Sequence, residues 1–509
     1  MALSHSDPTI RQFFRKHAHS TAANTLSRGQ NLRYQAYLLL LLVAFLYDWK
    51  MLAAGLMFAA CGFYVLIILY RLLCILVSMA LSPDIKISAE ELAAVKDEEL
   101  PVYTVLLPMY KENNIAQKII HNINTLDYPH EKLDVKLLLE RDDASTIEAC
   151  NELKERLPYL EVFILADAQP KTKPKACNHG LFDAKGEFLV IYDAEDRPDK
   201  DQLKKAVLAF RKLPERVVCL QAKLNYYNSG FNWLTKMFTM EYSAWFDLLL
   251  PGLQQLGVPI PLGGTSNHFR TDVLRHVGGW DPFNLTEDCD LGMRLHILDK
   301  RTCALDSTTW EEANSQVHNW IRQRSRWVKG YIQTHFAHAR SNLLTLGRLG
   351  LKGYLSFLLT VGGNSLCILL NPIFWAVGLV WVALYFGEML GWTPGPWQVL
   401  YTDRVDDLPD SPMTLWSQLS AVFYYASIAL FAANFFFIAI NVCACIKRKL
   451  WGILPYTLLS PFYWLLISIG GWKGALQLFS KPFYWEKTVH GLTGENGEKT
   501  PCNAADASI

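Results

Sequence analysis

Long apolar runs lie towards both ends of the chain, and a more polar segment separates them. Residues 32–47 are largely apolar, residues 48–50 form a short polar break, and residues 51–70 are 20 consecutive uncharged positions. About 20 apolar residues are what a helix needs to cross a bilayer core of ~30 Å. The pattern predicts a polar tail over residues 1–31 and a transmembrane hairpin over residues 32–82.

The C-terminal part returns to the same apolar character. Residues 353–387, 411–446 and 450–472 contain no charged side chain. The first run has 35 residues. At ~1.5 Å per residue it would make one helix of about 52 Å, longer than a ~30 Å bilayer core. We therefore expect a turn at Asn371-Pro372 and about four transmembrane helices over residues 341–480. One interfacial helix followed by one span fits the same residues.

Short apolar runs alternate with helical patterns in the middle of the chain, residues 97–340. The apolar runs cover residues 102–108, 133–139 and 188–192, and helical patterns cover residues 112–126 and 145–157. This alternation predicts an α/β domain with a parallel sheet buried on both faces. Ligands of such sheets bind beyond the carboxyl ends of the strands. Acidic clusters at residues 142–143, 193–196 and 286–288 lie at strand ends or loops of this domain.

The charge distribution and the cysteine content indicate the compartment of the α/β domain, but they do not identify its partners. The chain has 509 residues, a net charge of +1 and 11 scattered cysteines without a paired motif, which favours a reducing compartment and gives no sign of nucleic acid. Basic residues dominate before the first apolar run, so the N-terminus is expected in the cytosol. The protein would then be a multi-pass protein of the plasma (inner) membrane, and its α/β domain would face the cytosol. Counting about six spans from a cytosolic N-terminus puts Lys447-Arg448-Lys449 on the outer side of the membrane, against the positive-inside rule.

Carboxylates directly after the run at residues 188–192 are candidates for a metal site. Asp193, Glu195 and Asp196 have the type and spacing to hold Mg²⁺ or Mn²⁺ while leaving positions open for phosphate oxygens. A solvated acidic turn is the alternative. Upstream, Lys175 lies in an electropositive loop with Lys171 and Lys173 and can meet a diphosphate as a point charge; three surface lysines can also be only a solvated loop.

Asp288 is the candidate general base. It follows Thr286 and Glu287 and precedes a helical pattern at residues 291–298. A carboxylate there can accept the proton of an attacking sugar hydroxyl. The alternative is a helix N-cap, because Thr and Asp are favoured at helix starts.

A cationic, aromatic helix before the apolar C-terminal part suggests an anionic or sugar-like partner. It carries Gln323, Arg326 and Trp327 within residues 320–330. A small-residue turn at residues 261–268 includes Gly264, and its glycines allow close backbone approach to a sugar, although an ordinary tight turn fits equally. Residues 231–250 are aromatic and lightly charged, which fits an interfacial helix or a buried core helix.

The order of Asp193, Thr286-Glu287-Asp288 and Gln323-x-x-Arg326-Trp327 resembles the processive family 2 glycosyltransferases. These include bacterial cellulose synthase catalytic subunits, hyaluronan synthases and chitin synthases. The resemblance covers roughly residues 100–330 and the membrane segments on each side. The chain departs from the family pattern at the metal motif, where Asp193-Ala-Glu195-Asp196 stands in place of Asp-x-Asp. Residues 482–491 are similar to the Trp-x-Lys-Thr-x-His-Gly tail of many such enzymes, and the cytosolic segment 481–509 would brace the domain.

The resemblance implies a GT-A fold with a UDP-sugar in its cleft, Mg²⁺ or Mn²⁺ at Asp193 with Glu195 or Asp196, and Asp288 as the base. The donor would bind to Tyr110, Glu112, Asp142, Asp143, Lys175, Asp193, Gln323, Arg326 and Trp327. The acceptor would bind to Gly264, Thr265, Ser266, Glu287 and Trp327.

The leading hypothesis is an inverting, β-forming polysaccharide synthase that polymerises a UDP-sugar, with UDP-glucose first among the donors, and passes the growing glycan through a channel formed by its own helices in the bilayer. Export partners or a homo-oligomer are compatible with this hypothesis. The alternative enzyme adds a single sugar to a membrane lipid such as ceramide, diacylglycerol or a polyprenyl phosphate. A third hypothesis is a binding or export component that has lost catalysis.

Overall fold

The computed structural model describes residues 7–112, 116–157, 159–392, 434–486 and 488. Within them one eight-stranded sheet forms the centre of the α/β domain. The strands are β1 (Tyr103–Met109), β2 (Leu133–Glu140), β3 (Leu160–Leu165), β4 (Phe188–Ile191), β5 (Arg197–Pro198), β6 (Val217–Tyr226), β7 (Asn267–Arg270) and β8 (Arg301–Glu311). The three predicted apolar runs coincide with β1, β2 and β4.

The sheet is mixed, whereas the sequence predicted a parallel one. Its strand order is β3-β2-β1-β4-β7-β6-β8-β5. The four strands β3, β2, β1 and β4 are parallel, as expected from the helical crossovers between them. The short strand β7 runs antiparallel between β4 and β6, and β5 runs antiparallel to β8. These antiparallel strands make the sheet mixed rather than uniformly parallel.

Helices cover both faces of the sheet and extend from one side of the domain. They are α1 (Pro8–His17), α2 (Arg28–Leu81), α3 (Ala89–Ala94), α4 (Ala116–Asn124), α5 (Ala144–Arg156), α6 (Lys173–Asp183), α7 (Gln202–Lys212), α8 (Trp233–Ser243), α9 (Leu250–Leu256), α10 (Thr271–Val277), α11 (Glu287–Ile297), α12 (Val317–His338), α13 (Asn342–Phe357), α14 (Gly363–Met389), α15 (Asn434–Lys447) and α16 (Ser460–Ser480).

Alternate residues of the central strands fill two separate cores. Val105 and Leu107 of β1 pack with Phe210 of α7 on one face, and Leu106 packs with Leu181 of α6 on the other. Side chains of a strand alternate between its two faces. Burial of both faces explains why these strands are continuous apolar runs in the sequence.

The long helix α2 leaves the α/β domain and returns to it. Asp48 breaks the helix with φ −155° and ψ 94°. Near the start of α2, Gln30 Nε2 donates to the carbonyl of Phe336 at 2.9 Å. Near its end, Ser78 Oγ donates to the carbonyl of Asp247 at 3.5 Å. Arg28–Leu81 and Asn342–Met389 are the two helical stretches, among the described residues, that are long and apolar enough to cross a membrane by length and composition.

The predicted turn at Asn371-Pro372 is wrong. Pro372 lies inside α14, which continues for 27 residues from Gly363 to Met389, about 40 Å at ~1.5 Å per residue. Proline removes one N–H donor from a helix, and apolar helices with close neighbours tolerate it. The break lies earlier, at Gly350, whose φ of 66° interrupts α13. Residues 353–387 therefore do not form two spans divided at Pro372.

Residues 231–250 form a buried helical unit. Leu234, Met237 and Phe238 of α8 are at most 1% exposed, and α8 continues into a π-helical segment, Ala244–Leu249, and then α9. The unit packs against Trp320 of α12 and Tyr463 of α16. The structure thus favours the buried helix of the two alternatives. Most of the predicted apolar run at residues 411–446 lies outside the described residues.

Candidate active site

One cavity of about 580 Å³ lies between the carboxyl ends of the strands and the helices α2, α14, α15 and α16. It is formed where β1 and β4, which are parallel neighbours, end at the same edge of the sheet. Among the predicted site residues it is lined by Tyr110, Glu112, Asp193, Glu195, Gly264, Thr265, Glu287, Asp288, Gln323, Arg326 and Trp327. Residues separated by more than 200 positions in the sequence therefore share one space.

The acidic loop after β4 divides into two half-buried carboxylates and one fully buried carboxylate. Asp193 and Glu195 line the cavity, whereas Asp196 is fully buried. Asp196 Oδ2 accepts a hydrogen bond from the backbone N–H of Asp193 at 2.8 Å and another from the Thr265 hydroxyl. Burial, with repulsion from Asp193 and Glu195, raises the pKa of Asp196 well above its usual range. Asp196 thus shapes the loop, and the carboxylates of this loop that line the cavity are those of Asp193 and Glu195.

Lys173, not Lys175, is the lysine in the cavity. Lys173 Nζ forms an ion pair with Asp193 and donates to the carbonyl of Gly264 at 2.8 Å. Lys175 is fully buried, pairs with Glu140 at 2.9 Å and does not line the cavity. Residues two apart on a helix do not share a face, and α6 begins at Lys173. The structure therefore places Lys173, and not Lys175, among the residues that line the cavity.

Asp288 lies in the first turn of α11, next to the turn that contains Gly264. Thr286 occupies the N-cap position and makes no side-chain capping bond, so the capping alternative does not describe Asp288. Its Oδ1 accepts from the N–H of Cys289 at 2.7 Å. A Cβ added to Gly264 would lie 3.5 Å from Asp288 Oδ2. The second carboxylate oxygen is therefore directed at the glycine turn.

The two adjacent acids of α11 have different pKa values. Burial raises the pKa of Asp288 to about 6, although the Cys289 N–H and the charges of Lys173 and Arg326 oppose the rise. Burial and then the Asp288 charge raise the pKa of Glu287 to about 8. Near pH 7, Asp288 is thus mainly ionised while Glu287 holds a proton. This division suits Asp288 to accept a proton and Glu287 to donate a hydrogen bond.

Helix α12 supplies a cation, an amide and a ring. Gln323 Oε1 accepts from Asn314 Nδ2 at 3.0 Å. The Arg326 guanidinium lies 4.3 Å from the ring centre of Trp485, and its buried Nε has no hydrogen-bond partner among the described residues. Burial lowers the pKa of Arg326, and the nearby Glu287, Asp193 and Asp288 charges oppose that shift. A buried cationic donor without an acceptor is suited to an anionic ligand.

The ring of Trp327 lines the cavity on the same side of α12 as Gln323 and Arg326. It stacks on Tyr242 at 6.2 Å with an angle of 29°. Beside it, the Arg324 guanidinium lies 4.7 Å from the Trp327 ring centre. Trp327 thus presents a fixed aromatic surface to the cavity.

Asp142 and Asp143, both expected near a nucleotide base, have different environments, and neither lines the cavity. Asp142 is at the surface, where it accepts from the Tyr110 hydroxyl at 3.3 Å and pairs with Lys171 at 2.9 Å. Asp143 is buried and caps α5 through the N–H of Thr146. Asp143 therefore stabilises a helix start. Of the two, Asp142 is the one beside the cavity residues Tyr110 and Lys171.

Ser266 does not reach the cavity, which corrects its expected contact with an acceptor. It is fully buried with a φ of 57°, and its Oγ donates to Thr309 Oγ1 at 2.7 Å. Thr265 lines the cavity, but its hydroxyl is occupied by Asp196 and by the carbonyl of Ile191 at 3.0 Å. Of the three predicted turn residues, Gly264 is the one whose backbone lies beside the Asp288 carboxylate.

Sequence reasoning missed Glu311, at the end of β8. It lines the cavity, and burial together with repulsion from Asp196, Glu195 and Asp193 raises its pKa well above the usual range. The available signal was the same as for Asp193: an acid that ends a strand. Residues 301–311 contain one run of three apolar residues between polar ones, so this segment lacks the longer continuous apolar run that marked β1, β2 and β4.

The donor set in the cavity fits a hard cation in part. No group of three or more His, Cys, Asp or Glu side chains with metal-binding geometry occurs among the described ranges. Asp193 and Glu195 are two oxygen donors open to the same space. Magnesium commonly takes one or two protein carboxylates and completes its sphere with phosphate oxygens and water. The residues present therefore fit Mg²⁺ or Mn²⁺ when it arrives with a diphosphate.

The C-terminal segment packs on α12, as far as the structure describes it. Lys329 Nζ donates to the carbonyl of Tyr484 at 2.9 Å, and Gln333 Nε2 donates to the carbonyl of Pro482 at 2.9 Å. Glu486 accepts from Lys473 at 2.5 Å. Val489, His490 and Gly491 of the predicted tail motif, and residues 492–509, lie outside the described residues. The described contacts are those of a brace beside Arg326.

A mixed α/β sheet with an acid-lined cavity at its carboxyl edge has the GT-A-like architecture that the sequence resemblance implies. Residues 101–330 match the protein family described as "Glycosyltransferase like family 2". The expectation of a sugar-transferring enzyme is thereby confirmed at the level of the domain.

Similar proteins carry related names. The chain is 25% identical over 235 residues to "Probable glycosyltransferase YdaM" of Bacillus subtilis (strain 168), covering 46% of this chain and 56% of that protein. It is 27% identical over 269 residues to "Beta-monoglucosyldiacylglycerol synthase" of Trichormus variabilis, covering 52% of this chain and 56% of that protein. The chain thus spans about half the length of the curated relatives it matches.

Among solved structures, the chain is similar to a mannosyltransferase from Pyrobaculum calidifontis in complex with GDP-Man and Mn²⁺. The likeness has a TM-score of 0.48 and 16% identity, and it covers 83% of this chain and 99% of that one.

Proposed function

We propose that the protein is a membrane-embedded, inverting glycosyltransferase that polymerises a nucleotide-activated sugar and passes the glycan between its own helices. The observation that carries the proposal is the single cavity that joins Asp193, Asp288 and Trp327 to residues of α2, α14, α15 and α16. A transferase that only released a soluble product would not need its acceptor site to open between apolar helices. The donor would be a UDP-sugar, with UDP-glucose first, and the catalytic domain would face the cytosol at the plasma membrane.

The proposed reaction uses residues already placed in the cavity. The Asp288 carboxylate takes the proton of an acceptor hydroxyl, and the hydroxyl oxygen forms the new bond to the anomeric carbon of the donor. The bond from that carbon to the diphosphate oxygen breaks at the same time, and the diphosphate leaves with the electron pair. Attack from the face opposite the leaving group inverts the anomeric configuration.

Lys173 and Arg326 lie where they would stabilise the departing diphosphate. Both cations act electrostatically on Asp288 and Glu287, so they surround the same point of the cavity. Asp193 and Glu195 would hold Mg²⁺ or Mn²⁺, which would supply further positive charge to the diphosphate. Trp327 and the Gly264 backbone would position the acceptor ring, since a flat aromatic face suits the apolar face of a sugar.

The extent and lining of the cavity favour a polymer over a soluble small product. The lining residue Tyr64 precedes Ser78, which contacts the α/β domain, by 14 positions on α2. Fourteen helical residues span about 21 Å at ~1.5 Å per residue, a large part of a bilayer core. Polar and aromatic side chains occur along this part, including Asn371, Asn441 and Trp464. Such a lining can hydrogen-bond a glycan and stack on its rings.

A second candidate is the transfer of one sugar to a membrane lipid. It is supported by the relatives named beta-monoglucosyldiacylglycerol synthase, which match about half of this chain. An acceptor that entered the cavity from the bilayer would reach the same base.

Product size separates the two candidates. The full chain would be purified in nanodiscs and offered a panel of radiolabelled nucleotide sugars, with nucleotide release and product length followed for each. A labelled product that grows through a ladder of lengths supports the polymer, and Asp288→Asn protein should form none. A single-sugar lipid as the sole product would replace the polymer proposal with the second candidate.

A further inference from the structure

We propose that Arg71 and Asn364 form a binding site for an oxyanion carried by the acceptor or the growing product. This inference rests on the proposed function and deepens it, because it names the chemical class of the acceptor. The site lies in the part of the cavity formed by α2 and α14, apart from the donor residues of the α/β domain.

Arg71 is exceptional among the cavity residues of the apolar helices. The described parts of α2, α14, α15 and α16 contribute Tyr, Ile, Asn, Ser, Cys, Phe and Trp side chains to the lining, and Arg71 is the only charged one among them. Arg71 forms no ion pair with any described residue. A charged side chain on a helix that crosses a bilayer is costly to maintain and marks a functional site by default.

Two contacts hold the Arg71 guanidinium in place, and they use only one of its N–H donors. Its Nη2 donates to Asn364 Oδ1 at 2.7 Å, and its Cζ lies 5.4 Å from the ring centre of Phe437. These two contacts fix the plane of the group. Arginine has five N–H donors in a fork that matches the two oxygens of a carboxylate or phosphate. One donor is used by Asn364, and the remaining fork is available to an anion in the cavity.

The position of Arg71 is suited to the acceptor and not to the donor. Arg71 precedes Ser78 by seven residues on α2, which places it about 10 Å above the α/β domain at ~1.5 Å per residue. The Asp288 and Arg71 charges both act on the Tyr331 hydroxyl, with opposite effects on its pKa. Arg71 and Asp288 thus approach the same residue of α12 from different elements, α2 and α11, so an acceptor whose hydroxyl reaches Asp288 could also reach Arg71.

Two acceptor classes carry such an oxyanion: a phosphate on a polyprenyl lipid and a carboxylate on a uronic acid of the glycan. Binding would be measured on the full chain in phosphatidylcholine nanodiscs, without any donor, by tryptophan fluorescence. The probes are two matched pairs, farnesyl phosphate with farnesol and cellobiuronic acid with cellobiose. We expect the anionic member of one pair to bind at least about tenfold more tightly than its neutral partner, the size of a good charge-assisted contact.

Variants identify the residue responsible. Arg71→Gln should abolish the preference for the anionic probe, and Asn364→Asp should do the same by placing a carboxylate beside the guanidinium. Arg348→Gln is the matched control, because Arg348 is an exposed arginine of α13 that does not line the cavity. The ratio of anionic to neutral affinity is taken within each variant, so a general loss of folded protein does not mimic the effect.

Each outcome decides the inference. A preference for farnesyl phosphate that depends on Arg71 assigns the site to a lipid phosphate, and a preference for cellobiuronic acid assigns it to an acidic glycan. No preference in either pair, or a preference that survives Arg71→Gln, overturns the site. The binding assay contains no donor, so its result is independent of the nucleotide-release assay that tests the transferase proposal.

Discussion

Lys173 forms an ion pair with Asp193 at the centre of the cavity. The pair joins the first turn of α6 to the loop after β4, and it brings together the cation and the carboxylate that a nucleotide diphosphate would contact. Arrival of a diphosphate with its metal would give Lys173 and Asp193 new partners of opposite charge. The contact thus keeps both side chains directed into the cavity until the donor binds.

Substitution of Lys173 should damage turnover, whereas substitution of Lys175 should damage folding. Lys173→Ala removes a cation from the leaving group, and we expect kcat to fall about 10²–10³-fold, the range for loss of one electrostatic contact to a transition state. Lys175→Ala leaves Glu140 buried without its partner, which should cost about 3–5 kcal/mol of stability. Nucleotide release and thermal unfolding would be measured for both variants. Normal turnover in Lys173→Ala protein would contradict this assignment.

The adjacent acids of α11 offer a matched pair for testing the base. Asp288→Asn removes the proton acceptor, and we expect kcat to fall about 10²–10⁴-fold. Glu287→Gln replaces a carboxyl group that is already mainly protonated near pH 7 with an uncharged group of the same shape, so a much smaller loss is expected. Steady-state nucleotide release would compare the two. The third hypothesis, a component without catalysis, predicts no change of cellular polymer for Asp288→Asn or Asp193→Asn.

The pH dependence of turnover follows from the raised pKa of Asp288. The base acts in its ionised form, so kcat/KM should rise as pH increases through about 6. With a pKa near 6, about a tenth of the base is ionised at pH 5 and about nine-tenths at pH 7. A pH series from 4.5 to 8 in constant ionic strength would measure the profile. A limb centred near pH 4, the value of an ordinary aspartate, would show that the enclosed environment of Asp288 does not control the rate.

The sequence located the ends of the strands better than the directions of the side chains. The runs that form β1, β2 and β4 are recognisable in the sequence because both faces of these strands are buried. The acids that follow the runs lie near one edge of the sheet because these strands are parallel. The sequence does not show which side of α6 faces the cavity, so Lys175 was preferred to Lys173. Its direction depends on where the helix begins, and that is set by packing against residues more than 100 positions away, such as the Pro282 carbonyl bound by Thr172.

The antiparallel strand β7 and the acid Glu311 were hidden for a related reason. β7 has four residues, too few to produce a period, and it pairs with β4 and β6 only through tertiary contacts. The second half of β8 is mostly polar, and Ser307 and Thr309 in it accept hydrogen bonds from Gln202 inside the domain. Buried polar networks of this kind do not register as apolar runs. The same limit applies to Ser266, whose left-handed backbone turns its hydroxyl towards Thr309.

Removal of divalent metal should stop turnover, and the two open carboxylates should set the metal requirement. We expect chelation with EDTA to abolish nucleotide release and added Mg²⁺ or Mn²⁺ to restore it, because Asp193 and Glu195 face the diphosphate position. Glu195→Gln should raise the Mg²⁺ concentration needed for half-maximal rate. Asp196→Asn should mainly lower the melting temperature, since Asp196 holds the loop. Full turnover in metal-free buffer would contradict the expectation.

A buried arginine on α12 ties the α/β domain to the last apolar helix, and its loss should destabilise the whole assembly. Arg324 donates to both carboxylate oxygens of Glu241 at 2.7 and 2.5 Å and to the Tyr463 hydroxyl at 3.0 Å. Arg324→Ala would remove the charge-assisted hydrogen bonds to Glu241, whose side chain is 35% exposed, and we expect a loss of about 1.5–3 kcal/mol.

Arg322 is the control on the same helix. It lies 3.9 Å from Glu486 and is partly exposed, and a partly exposed pair of this kind contributes about 1 kcal/mol or less. Thermal unfolding of Arg324→Ala, Arg322→Ala and wild-type protein in the same nanodiscs would compare the two positions. Because Arg324 also packs against the Trp327 ring, its variant should raise the KM for acceptor in the protein that remains folded, and Arg322→Ala should not. Equal melting temperatures for all three proteins would show that the α8, α12 and α16 junction does not depend on this ion pair.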